Sequence, residues 1–145
     1  MRPFVLAATV LALALIGCGD DEQTARTTVS ESTALPVTIE RSGGVAGIHD
    51  TLVVRPDGTG TLTARDGTTR QLSAEETTAV VAAMRELVFA GLERRYGPPQ
   101  GTMVSDGIDY TFSAWDDTIV VEELAEDVPA PLLALKGAAA EVMDG

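Results

Sequence analysis

Few side chains in this 145-residue sequence are of the kinds that carry covalent or metal chemistry: there is one Cys, Cys18, and one His, His49. A single imidazole cannot supply a multi-His metal site. Ser42, His49 and Asp50 are the residue types of a nucleophilic triad, but they lie close together along one hairpin, and a triad is defined by geometry rather than by nearness in sequence. Carboxylates are plentiful, 22 in all, yet none stands in an acid–base motif and none has EF-hand spacing. Between Arg95 and Lys136 there are eight acids and no base, among them Asp116, Asp117, Glu122, Glu123, Glu126 and Asp127. Such a run reads as a solvated edge, with a weak calcium site within 106–127 or a basic partner as the alternatives. Gly43, Gly44 and Gly47 are followed by neither Lys-Ser/Thr nor a helix start, so they do not form a phosphate loop. The expectation is a non-enzyme with no catalytic residues, no metal ligands and no cofactor.

Cys18 has a different context. Leu15-Ile16-Gly17-Cys18 resembles the lipobox of bacterial lipoproteins, in which the Cys is acylated and becomes the new N-terminus. Met1-Arg2 supplies a short positive region, and Phe4 to Ile16 is an apolar run too short to span a bilayer as a lone helix. A buried thiol at a helix end is the alternative. The resemblance implies a signal peptide over residues 1–17 and an extracytoplasmic, lipid-anchored location at the cell membrane. The mature chain would then have no free thiol, no disulfide and no Cys-based zinc site. Residues 18–145 carry nine bases against 22 acids, a net charge of −13. That balance argues against nucleic acid and against adsorption to anionic lipid, so attachment to the bilayer must come from acylated Cys18.

Around these residues the chain divides into a tether, residues 18–36, and one domain, residues 37–145. Gly19 to Leu35 is polar, rich in Thr and Ser and without hydrophobic periodicity, a composition that cannot bury enough surface to fold. As a flexible coil it would reach roughly 20 Å. Beyond Pro36, Val37 and Ile39, then Leu52 and Val54, then Leu62, alternate with polar residues, which fits antiparallel strands with one buried face. Pro56-Asp57-Gly58 and Asp66-Gly67 are turn signals that connect these runs as a meander. Ser73 and Glu76 form a capping box, and Val80, Val81, Met84, Leu87, Val88 and Leu92 continue at helical spacing. Phe89 falls off that stripe, to be covered by the following loop or left as a contact.

Gly91 to Gly107 contains Gly97-Pro98-Pro99 and reads as a long loop. Ile108, Tyr110, Phe112 and Ala114 share one face of a strand, Asp116-Asp117 turns the chain, and Thr118 to Glu122 returns. Pro129 and Pro131 suit the start of a second helix with the stripe Leu132, Leu135, Ala139, Val142 and Met143. The fold class expected is α+β, two-layer: one antiparallel sheet of short strands with two helices packed on its apolar face.

Val37-Thr38-Ile39-Glu40-Arg41-Ser42-Gly43-Gly44-Val45-Ala46-Gly47-Ile48 resembles the opening of the emfourin-type inhibitors of thermolysin-like metalloproteases. In that family the Gly-Gly-aromatic-Ala-Gly element is followed by a strand, a helix and a late strand similar to Asp109-Tyr110-Thr111-Phe112. The likeness spans about Val37 to Met143. Val45 stands where an aromatic is usual, and the hairpin from Thr59 to Leu72 is longer than the family pattern. The resemblance implies a monomeric, proteinaceous inhibitor or binder of a secreted thermolysin-like metalloprotease. Its contact residues would be Arg41, Ser42, Gly43, Gly44, Val45 and Gly47, with Leu92 and Tyr96 from the second loop, which also offers Met103 as an apolar side chain. The alternative is an envelope lipoprotein with a structural or partner-docking role and no protease inhibition.

Overall fold

Strict alternation of apolar and polar side chains builds the sheet. The structure, a computed structural model, describes residues 36–145; the expected signal peptide, the lipobox-like stretch with Cys18 and nearly all of the expected tether lie outside the described residues. The strands are β1 (Val37–Gly43), β2 (Ile48–Val54), β3 (Gly60–Thr63), β4 (Thr69–Gln71), β5 (Arg95–Tyr96), β6 (Ile108–Ala114) and β7 (Asp117–Val121). The helices are α1 (Ala74–Arg85), between β4 and β5, and α2 (Ala130–Asp144) at the end. Strand order across the sheet is β4-β3-β2-β1-β6-β7-β5.

The first four strands form the expected meander. After α1 the chain crosses to the other side of β1 and adds β6, β7 and β5 there, which makes β1 and β6 the central pair. Their register sets Val37 opposite Ala114, Ile39 opposite Phe112 and Gly43 opposite Ile108. β6 and β7 are joined through Trp115 and Asp116 alone, because Ala114 pairs with Asp117. The turn therefore falls one residue earlier than Asp116-Asp117.

One expectation needs correction: the sheet is mixed rather than wholly antiparallel. β5 pairs with β7 in parallel, Arg95 with Val120 and Tyr96 with Val121. It arrives from the end of α1 and enters the edge in the same direction as β7. A two-residue strand has no periodicity to detect, which is why this stretch reads as loop.

Residues that share a face in this register share their burial. Val37, Ile39, Leu52, Val54, Phe112, Ile119 and Val121 are buried with Val80 and Met84 of α1 and Leu132, Leu135, Ala139 and Val142 of α2. The helices contact each other and the sheet. Tyr110 and Phe112, two residues apart on β6, hold their ring centroids 6.3 Å apart.

The Ser73 box forms as expected: Glu76 N–H donates to Ser73 Oγ at 3.2 Å and Ser73 N–H to Glu76 Oε2 at 2.7 Å. The far end of α1 differs. The helix stops at Arg85, with Glu86 as its cap, so Leu87, Val88 and Leu92 are not helical. Leu87 N–H donates to the Met84 carbonyl and Leu92 N–H to that of Phe89, and Gly91 takes φ 94° in the turn. Once the helix ends, the wheel no longer decides burial: Leu87 enters the core, Val88 is exposed and Phe89 packs against the core.

Candidate functional site

The glycine turn and the long loop meet at one end of the central strand pair. β1 runs on through Arg41 and Ser42 to Gly43, and residues 44–47 turn into β2. Gly43 and Gly44 adopt φ 115° and 69°, backbone angles that side-chain-bearing residues rarely take. At Gly43 the approach is close as well, since a Cβ there would stand 2.1 Å from the Gly107 carbonyl oxygen. That carbonyl accepts from Gly44 N–H at 3.1 Å. The loop that ends in Gly107 is thus fastened to the turn by backbone alone.

Between them opens a cavity of about 360 Å³. Gly43, Gly44 and Gly107 form its backbone wall; Val104, Ser105 and Asp106 form the loop side. Arg95, Asp109 and Glu122 complete it. Arg95 Nε donates to Glu122 Oε1 at 2.6 Å, and Glu123 Oε2 accepts from Ile108 N–H at 3.0 Å. The lining is polar and, with Arg95 already paired, negative on balance. Among the described residues no three His, Cys, Asp or Glu side chains are grouped to hold a metal ion.

The residues singled out in the sequence separate into two groups. Gly43 and Gly44 line the cavity, and Val45, 89% exposed, stands at the turn beside exposed Gly47. Ser42 is half-buried opposite His49 and Asp109. Arg41 faces the interior: Nε and Nη2 donate to Asp50 Oδ2 at 3.1 and 2.7 Å, and Nη1 to Asp144 Oδ1 at 2.5 Å. Burial alone would lower its pKa, but the bonds to Asp144, Asp50 and Tyr110 outweigh this and raise it. Its guanidinium is taken up by these internal partners, and the side chain is nearly buried.

Leu92 and Tyr96 are likewise turned inward. Leu92 packs against the core, and buried Tyr96 accepts from Glu93 N–H through its hydroxyl at 3.0 Å. The apolar side chains that this second loop does present are Met103, 95% exposed, and its neighbour Val104. Arg95, Asp106, Asp109 and Glu122 were not expected at the site, since only the strand pairing brings them there.

Ser42, His49 and Asp50 do not assemble. Successive residues of a strand point to opposite faces, so His49 shares a face with Ser42 while Asp50 lies on the buried face with Arg41. A scan against protein-family models, a search of curated proteins and a search of solved structures each find no match.

Proposed function

We propose that the chain is a membrane-anchored extracytoplasmic lipoprotein whose domain, a two-layer fold with both helices on the apolar sheet face, binds and inhibits a thermolysin-like metalloprotease. The family-like residues from Val37 to Ile48 motivate the reading. The observation that supports it most is the joining of the two loops through Gly44 N–H and the Gly107 carbonyl, with exposed Val45 and Met103 on either side. Inhibitors of this kind present a preorganised loop to a cleft, so little ordering entropy is lost on binding. Of the expected contact residues, Val45 and Met103 are the exposed apolar ones on this reading, while Arg41, Leu92 and Tyr96 face inward.

The charged cavity favours a second reading. A lining of Arg95, Asp106, Asp109 and Glu122 suits a polar partner surface better than an apolar subsite, and the protein is then a partner-docking envelope lipoprotein without inhibitory activity. The chain from residue 36 onward, mixed at micromolar concentration with several thermolysin-like proteases, separates the two. Slowed peptide hydrolysis, reversed by Val45→Asp, supports inhibition. Unchanged rates and no complex with any of them leave the docking role.

A further inference from the structure

The only Trp of the chain occupies a position that protein backbones usually reserve for glycine. Trp115 is the first of the two residues joining β6 to β7 and has φ 52°, whereas Asp116 is not in the positive region. A two-residue hairpin with positive φ at its first central position alone is the pattern in which Gly is favoured. For a bulky side chain that conformation is an outlier. Nothing inside the domain requires it: Trp115 is 68% exposed.

The register places this turn. Val37 pairs with Ala114 on one side and Val54 on the other, so the Trp115 turn and the Arg55–Thr59 turn flank the point where the chain enters the domain. Gly43 pairs with Ile108 and Ile48 at the opposite end, about 20 Å away for a seven-residue strand. The described chain thus begins next to the Trp115 turn, and the candidate site lies at the far end.

We propose that the bilayer surface is the partner of the Trp115 turn: the indole inserts at the headgroup level and holds the domain with its glycine turn and cavity pointing away from the membrane. The inference rests on the reading of Cys18 as the acylated residue. An indole has an apolar body and a polar N–H, which is why Trp collects at membrane–water interfaces. One such side chain gives weak binding by itself. Tethered within roughly 20 Å of the surface, it binds as an intramolecular partner at high effective concentration. Asp116 and Asp57 in the two turns and exposed Asp117 at the start of β7, against Arg55 alone, set the lipid preference: zwitterionic headgroups are accepted and anionic ones repel the turn.

The experiment uses the full-length acylated protein in phosphatidylcholine vesicles, with Trp115 as the sole indole reporter. The expected result is co-sedimentation with vesicles, a blue-shifted Trp emission, and loss of emission when the acyl chains are brominated. Adding phosphatidylserine should reduce both spectral changes without releasing the protein. In the variant Trp115→Ala/Val45→Trp the reporter sits at the other end and should emit as in water. Protein that sediments but whose Trp115 emission is unshifted and unquenched overturns the inference while leaving the anchor intact. Equal quenching of Trp at 115 and at 45 overturns the orientation. Protein that stays in the supernatant overturns the anchor reading and the inference together.

Discussion

Arg41 shows how a charge can be held inside a small core. Its side chain leaves β1 on the same buried face as Val37 and Ile39, opposite Asp50 and Tyr110, so it must be matched by carboxylates and carbonyls, and Asp50, Asp144 and the Met143 carbonyl supply them. Removing one partner of such a pair leaves the other charge buried and unmatched. Arg41→Ala should therefore cost about 3–5 kcal/mol in urea unfolding, while Arg41→Met combined with Asp50→Leu should recover much of the loss. A double variant no more stable than Arg41→Ala would contradict this account. Gly43 is the second constrained residue. Gly43→Ala adds backbone strain of about 1–3 kcal/mol to the clash with Gly107, and its effect should appear as loss of amide-exchange protection at Gly44. The sequence pattern points to these glycines as turn formers, and alternation sets Arg41 on the face of Val37 and Ile39, but it cannot reveal the partners that hold the charge there, which come from β2 and from the end of α2.

At the scale of elements, the end of α2 is held by side chains that come from other elements. The last turn of α2 contains no base; two strands provide them instead, Arg41 donating to the Met143 carbonyl and Arg70 to that of Val142 at 2.7 Å. Cations placed there offset the negative end of the helix and pair carbonyls that have no intrahelical partner. Arg70 also holds both oxygens of Glu76, at 3.1 and 2.8 Å. Hydrogen bonds from Arg70 and then from the Ser73 backbone pull the Glu76 carboxyl down to about 2 from an ordinary 4.5. A lowered folded-state pKa means that its contribution is complete above pH 4.5 and fades as the pH falls toward 2. Glu76→Gln should make the acid-side decline in thermal midpoint shallower over that window. In the middle of α2, Gly137 has open space where a Cβ would go; Gly137→Ala should raise stability by about 1 kcal/mol, read from the denaturant midpoint. Most elements were legible from local signals: the Ser73 box, the alternation of β1, β2 and β6, and the prolines at the start of α2. The exit of α1 was not, because Leu87 and Leu92 keep helical spacing while being buried through turns, and β5 was too short to leave a pattern.

For the whole molecule, the turn that carries Trp115 and the turn that carries Val45 lie at opposite ends of the same strands, so changes at one end leave the other intact. Trp115→Gly should relieve the positive-φ cost and stabilise the domain by about 1 kcal/mol, with the midpoint of thermal unfolding as the measure. Protease binding, if present, should not change with it. That the two candidate loops converge could not be read from the order of residues, since only the pairing of β1 with β6 joins them. That pairing also governs time. Until β6 exists, β1 has no neighbour on one side, and the Arg41 partner Asp144 is 103 residues away along the chain. Pairings over such separations make folding slow, in the range of milliseconds to seconds, because loop entropy is lost before contacts form. On the proposed extracytoplasmic reading this delay would have a use: a nascent segment whose central strand lacks its mate stays loose enough to be threaded through a narrow export pore, and it would close only after its last helix had followed.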